Sequence, residues 1–79
     1  VRISAQLQRR LTSELLQQYI AANMRQLRAD RGFTQERLAE AAALSLRYVQ
    51  DVESASKAVS LPALVAVANA LDVEAADLL

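Results

Sequence analysis

Residues 35–53 read Gln-Glu-Arg-Leu-Ala-Glu-Ala-Ala-Ala-Leu-Ser-Leu-Arg-Tyr-Val-Gln-Asp-Val-Glu, two short amphipathic segments that meet across a brief break. Leu38 and Ala39 are the inward candidates of the first segment, Val49 and Val52 those of the second. Leu44 lies between them, followed by Ser45, whose hydroxyl can accept from a free backbone N–H at a new helix start. The pattern predicts a helix, a tight turn and a second helix. Ala39 suits a close crossing, because two backbones can approach only where a side chain is small.

Outward from this stretch the match widens. Arg28-x-x-x-Gly32-Phe33-Thr34-Gln35-Glu36-x-Leu38-Ala39, then Ser45-x-x-Tyr48-Val49-x-x-Val52-Glu53, resembles the DNA-binding domain of lambda/434-type phage repressors and bacterial Xre-type regulators. The resemblance covers residues 19–79, most of the chain. It implies an all-α, five-helix domain whose second and third helices form a helix-turn-helix. Residues 1–18 then make an N-terminal helical extension ahead of the domain.

Composition agrees with one small helical domain. The chain has 79 residues, near the lower end of what buries a self-sufficient core. Sixteen alanines against one Gly and one Pro favour helix throughout. There is no Cys and no His, which removes the usual zinc ligands, the commonest general base and any disulfide framework. Nothing implies a cofactor or a catalytic residue. No stretch approaches the ~18–20 apolar residues of a membrane span, and residues 1–18 lack the apolar middle of a signal peptide. The expectation is a soluble, cytoplasmic protein, trimmed at a chain that starts on Val.

Charge is the awkward feature for a DNA binder, since lysines and arginines balance acids to a net of zero. The halves differ, however. Residues 1–31 carry six Arg against Glu14 and Asp30, a balance of +4; residues 32–79 carry Arg37, Arg47 and Lys57 against seven acids, a balance of −4. Phosphate attraction must therefore come from a local face.

In chain order, Ile3, Leu7, Leu11, Leu15 and Tyr19 form one i+4 stripe, suited to packing on the domain or on a second copy more than to a DNA-binding arm. Thr12-Ser13-Glu14 offers a place for a helix to restart. Ile20, Met24 and Leu27 belong to the domain's first helix, which Gly32 ends by taking a left-handed conformation cheaply. Thr34 caps the second helix and Ser60 the fourth, where Pro62 in the first turn is harmless. Glu74 opens a last short helix. Asp72, Glu74 and Asp77 suggest a metal site less readily than ordinary acids near a helix start. The apolar face from Leu61 to Leu71 exceeds what one core needs, which points to a homodimer.

The resemblance also assigns roles. Gln35, at the start of the second helix, is expected to contact a phosphate. Arg28 and Glu53 are a structural ion pair. Of the third helix, Ser45, Leu46, Arg47, Tyr48, Gln50 and Asp51 are the DNA-facing set. Arg47 suits guanine O6 and N7, Gln50 adenine or a phosphate, and Leu46 a thymine methyl. Tyr48 either contacts the sugar-phosphate or is half-buried. Asp51 either accepts from cytosine N4 or pairs with Arg47. Lys57, in the loop 54–60, is a further phosphate candidate. Relatives often carry Gly where this chain has Ala43, Ala55 and Asp72, and Pro where it has Val59, so that loop is expected to follow its own path. The function implied is a sequence-specific, dimeric regulator reading a double-stranded DNA operator. The alternative is a protein-interaction module on the same fold that has lost DNA binding.

Overall fold

A computed structural model describes residues 12–79, four α-helices followed by one 3₁₀ helix: α1 (Ser13–Asp30), α2 (Gln35–Ala42), α3 (Leu46–Glu53), α4 (Leu61–Leu71) and the 3₁₀ turn Ala75–Leu78. The fifth helix of the expected set is thus a single tight 3₁₀ turn, held at its start by the Glu74 N–H donating to Asp77 Oδ2 at 3.0 Å. The expected domain boundary between residues 18 and 19 falls inside α1, which runs unbroken from its cap at Thr12. Leu15 and Tyr19 of the i+4 stripe are half-buried on that helix. Ile3, Leu7 and Leu11 lie outside the described residues.

Each helix begins in the same way. The hydroxyls of Thr12, Thr34, Ser45 and Ser60 accept from the N–H three residues on, at 3.1, 3.0, 3.0 and 3.2 Å. Each cap satisfies a donor that the helix cannot, at about 1 kcal/mol apiece.

Each helix also ends alike, on a left-handed residue: Gly32 (φ 68°), Ala43 (φ 56°), Ala55 (φ 61°) and Asp72 (φ 55°). The N–H of the following residue reaches back five positions in every case, Phe33 to Arg28, Leu44 to Ala39, Ser56 to Asp51 and Val73 to Ala68. This is the Schellman closure. Only Gly32 takes it without a steric penalty; Ala43 and Ala55 do so at roughly 1–2 kcal/mol each, and Asp72 at less. At Ala43 and Asp72 packing helps to offset the strain, because Leu44 and Val73 pack against the core straight after the reversal.

The core is built from all the elements. Met24 of α1, Leu38 of α2, Val49 of α3, Val67 and Leu71 of α4 and Leu78 of the 3₁₀ turn are its largest fully buried side chains. Burying each contributes about 1.5–3 kcal/mol. Ala39 is 4 % exposed, the close-packed small residue its place between α2 and α3 demands. Val59 packs against the same core, so the position where relatives place Pro is an apolar anchor instead. Two long-range bonds from α1 and its C-terminal cap fasten the C-terminal end: Asn23 Nδ2 donates to the Leu78 carbonyl at 2.9 Å, and Arg31 Nη2 to the Asp72 carbonyl at 3.1 Å.

Candidate nucleic-acid interface

Helix α3 is held from behind and open in front. Behind it lies a charged cluster centred on Glu53, whose side chain is 2 % exposed. Arg28 Nε donates to Glu53 Oε2 at 2.8 Å and Nη2 to Oε1 at 3.0 Å, while Nη1 donates to the Phe33 carbonyl at 2.8 Å. The fork-on-fork geometry fixes both the distance and the rotation of α3 against α1. The expected structural pair is therefore present, and every buried polar side-chain atom among the described residues is satisfied.

Gln35 joins this cluster. Its Nε2 donates to Glu53 Oε1 at 3.0 Å, and the side chain is half-buried. One of its two amide hydrogens is thereby committed to the protein, and the other remains as a donor at the start of α2. Arg25, which the sequence reading passed over, reaches the same end of α3 and donates to the Glu53 carbonyl. A cation there complements the negative end of the helix. The available signal was Arg25 and Arg28 at i,i+3 on one face of α1.

In front, Arg47 is 81 % exposed in the first turn of α3. Its Nε donates to Asp51 Oδ1 at 3.2 Å and Oδ2 at 3.3 Å. Asp51 thus forms the i,i+4 pair with Arg47 in the free protein. Gln50 is exposed and Leu46 half-buried. Ser45 is exposed, with its hydroxyl engaged as the helix cap. Of the two expectations for Tyr48, half-burial is the one the fold displays. Its ring is half-buried, and its hydroxyl oxygen accepts from the Ser60 N–H at 3.0 Å, leaving the phenolic O–H to donate elsewhere.

Lys57 belongs to the same surface. Its Nζ sits 5.5 Å from the centroid of the Tyr48 ring, a cation–π distance. The loop that carries it is tightly tied, for the Asp51 carbonyl accepts from the Ser56 and Lys57 N–H groups and from the Ser54 and Ser56 hydroxyls, at 2.9–3.2 Å. Arg37, over the Phe33 ring at 5.4 Å, is paired with Glu40 at 3.2 Å. Gln35, Ser45, Arg47, Tyr48, Gln50 and Lys57 thus lie on elements joined by hydrogen bonds through Glu53, Asp51 and Ser60. Among the described residues no cluster of three or more His, Cys, Asp or Glu is placed to hold a metal, and no helix is long and apolar enough to cross a membrane.

Comparison with known proteins places this arrangement. The helix-turn-helix family profile matches residues 24–78. The restriction-modification controller protein C.AhdI from Aeromonas hydrophila is similar in structure, with 35 % identity and a TM-score of 0.78 over 80 % of this chain and 96 % of that one. The clp gene regulator ClgR from C. glutamicum shares 38 % identity at a TM-score of 0.75, covering 80 % of this chain and 82 % of its own. The hypothetical transcription factor NHTF from Neisseria shares 35 % identity at a TM-score of 0.80, over 86 % and 78 %. No curated protein sequence matches the chain. The chain belongs to the helix-turn-helix family of DNA-binding transcriptional regulators.

Proposed function

We propose that this regulator reads a specific operator in double-stranded DNA with the exposed face of α3, acting by binding alone, as a homodimer in the cytoplasm. It is of the phage-repressor, restriction-controller or antitoxin type. The observation that supports this most is Arg47: 81 % exposed, in the first turn of a helix locked from behind, with both terminal nitrogens unpaired among the described residues. Those two nitrogens match the O6 and N7 acceptors of a guanine in the major groove. Exposed Gln50, one turn on, presents the amide that pairs with adenine, and Leu46 offers apolar contact to a thymine methyl. Gln35, Tyr48 and Lys57 supply sequence-independent donors for the phosphates on either side.

A dimer should read a pseudo-palindrome with half-sites about one helical turn, roughly 34–36 Å, apart. Selection from random duplex DNA tests the reading, followed by titration of two variants. Arg47→Ala should cost about 1–3 kcal/mol and relax preference at one guanine per half-site. Gln35→Ala should weaken binding to all sequences alike, because a phosphate contact carries no base information. If no sequence is enriched, or Arg47→Ala leaves the enriched sequence equally preferred, α3 is not the reading element. A protein partner would then be sought for that face.

A further inference from the structure

We infer that Asp51 is a specificity-determining residue that acts through Arg47, holding its guanidinium as an end-on fork for guanine while repelling other DNA. The inference rests on the reading of Arg47 given above. A long exposed side chain normally samples many rotamers, and ordering it on binding costs affinity. Here the exposed Arg47 meets a carboxylate on a shorter, less exposed side chain whose backbone is pinned. Asp51 is only 24 % exposed at its side chain, and its carbonyl collects four donors from Ser54, Ser56 and Lys57.

The choice of nitrogen matters. Asp51 engages Nε through both oxygens, at 3.2 and 3.3 Å, and leaves Nη1 and Nη2 untouched. With Nε occupied, the side-on approach that uses Nε and one terminal nitrogen is closed. The end-on approach with both terminal nitrogens stays open, and it meets the paired acceptors that guanine alone presents in the major groove.

The carboxylate also has a cost. It lies beside the groups that face phosphate, so it weakens binding to every duplex by charge repulsion. At a matched guanine the ordered Arg47 compensates, and elsewhere nothing does. Asp51 therefore widens the gap between specific and nonspecific binding without touching a base.

The test uses the full chain and three duplexes: the selected operator, the same operator with its Arg47-dependent guanine pair replaced, and an unrelated sequence. Asp51→Ala and Asp51→Asn should each raise affinity for the unrelated duplex by about 2- to 5-fold at low salt, as one negative charge is lost. Discrimination at the guanine pair should fall by about 2- to 10-fold, the value of ordering one flexible side chain. In an Arg47→Ala background the same Asp51 substitutions should leave discrimination unchanged, a coupling that a merely structural role would not show. Discrimination retained in Asp51→Ala, or lost equally in both backgrounds, overturns the inference while leaving Arg47 as reader. A shift of preference at a different base pair makes Asp51 a direct reader of cytosine and overturns it as well. If Arg47→Ala itself changes nothing on the wild-type operator, the reading of α3 fails first and the inference with it.

Discussion

Arg28 and Glu53, 25 residues apart in sequence, meet as two parallel hydrogen bonds of 2.8 and 3.0 Å, with the carboxylate almost wholly withdrawn from solvent. Removing the cation would strand a buried negative charge with only the Gln35 amide beside it. Arg28→Ala should therefore cost on the order of 3–5 kcal/mol, measured as the shift of a urea midpoint. Arg28→Lys should fall between, since an ammonium keeps the charge but cannot span both oxygens. A midpoint unmoved by Arg28→Ala would show that the pair contributes nothing to the fold.

Two alanines stand in the left-handed region where glycine is at ease. Ala43→Gly and Ala55→Gly should each stabilise the domain by about 0.5–1 kcal/mol. Relief of roughly 1–2 kcal/mol of strain is partly offset by the greater freedom of glycine in the unfolded chain. Thermal melts of the single and double variants measure this. Destabilisation by both would mean that the methyl groups contribute more packing than their backbone costs.

Leu61 is 76 % exposed and Val65 51 % exposed on one side of α4, an apolar surface left uncovered among the described residues. If a second copy covers it, Leu61→Glu and Val65→Glu should raise the dimer dissociation constant by tenfold or more, at about 1.4 kcal/mol per factor of ten. Operator affinity should fall with them, because half-sites are then bound singly. Sedimentation at micromolar concentration decides the matter. A wild-type chain that stays monomeric, or variants that dimerise as it does, would place the contact elsewhere or exclude it.

Lys57 bears on the salt response. If its ammonium, set over Tyr48, neutralises one phosphate, Lys57→Met should flatten the plot of log affinity against log salt by about 0.9 per half-site. The base preference of the protein should not change. The wild-type slope should already be shallow for a DNA regulator, since the chain has no net positive charge to release counterions broadly. An unchanged slope would assign Lys57 to packing on the Tyr48 ring alone.

How far the molecule was legible in its residues depended on distance along the chain. The caps at Thr12, Thr34, Ser45 and Ser60 involve a hydroxyl and an N–H three residues apart, so the sequence alone determined these helix starts. The inward positions Leu38, Ala39, Val49 and Val52 followed from helical spacing for the same reason. The Arg28–Glu53 pair and the proposed reading positions of α3 came through resemblance, since no local period links residues that far apart.

Only the tertiary structure decided the rest. The glycines that relatives carry at Ala43, Ala55 and Asp72 raised a left-handed backbone there, but the residues themselves do not require it; the docking of Leu44 and Val73 on the shared core accompanies it at two of them. The continuity of α1 from its cap at Thr12 through residues 18 and 19 is likewise a feature of the folded chain. The share of Gln35 in the Glu53 cluster, the reach of Arg25 to the Glu53 carbonyl and the Asn23–Leu78 bond span 18, 28 and 55 residues. Each depends on where two helices come to rest against each other. Sequence periodicity tells each helix which face to bury, but side-chain packing sets the angle and depth at which those faces meet, and with them which polar groups find one another.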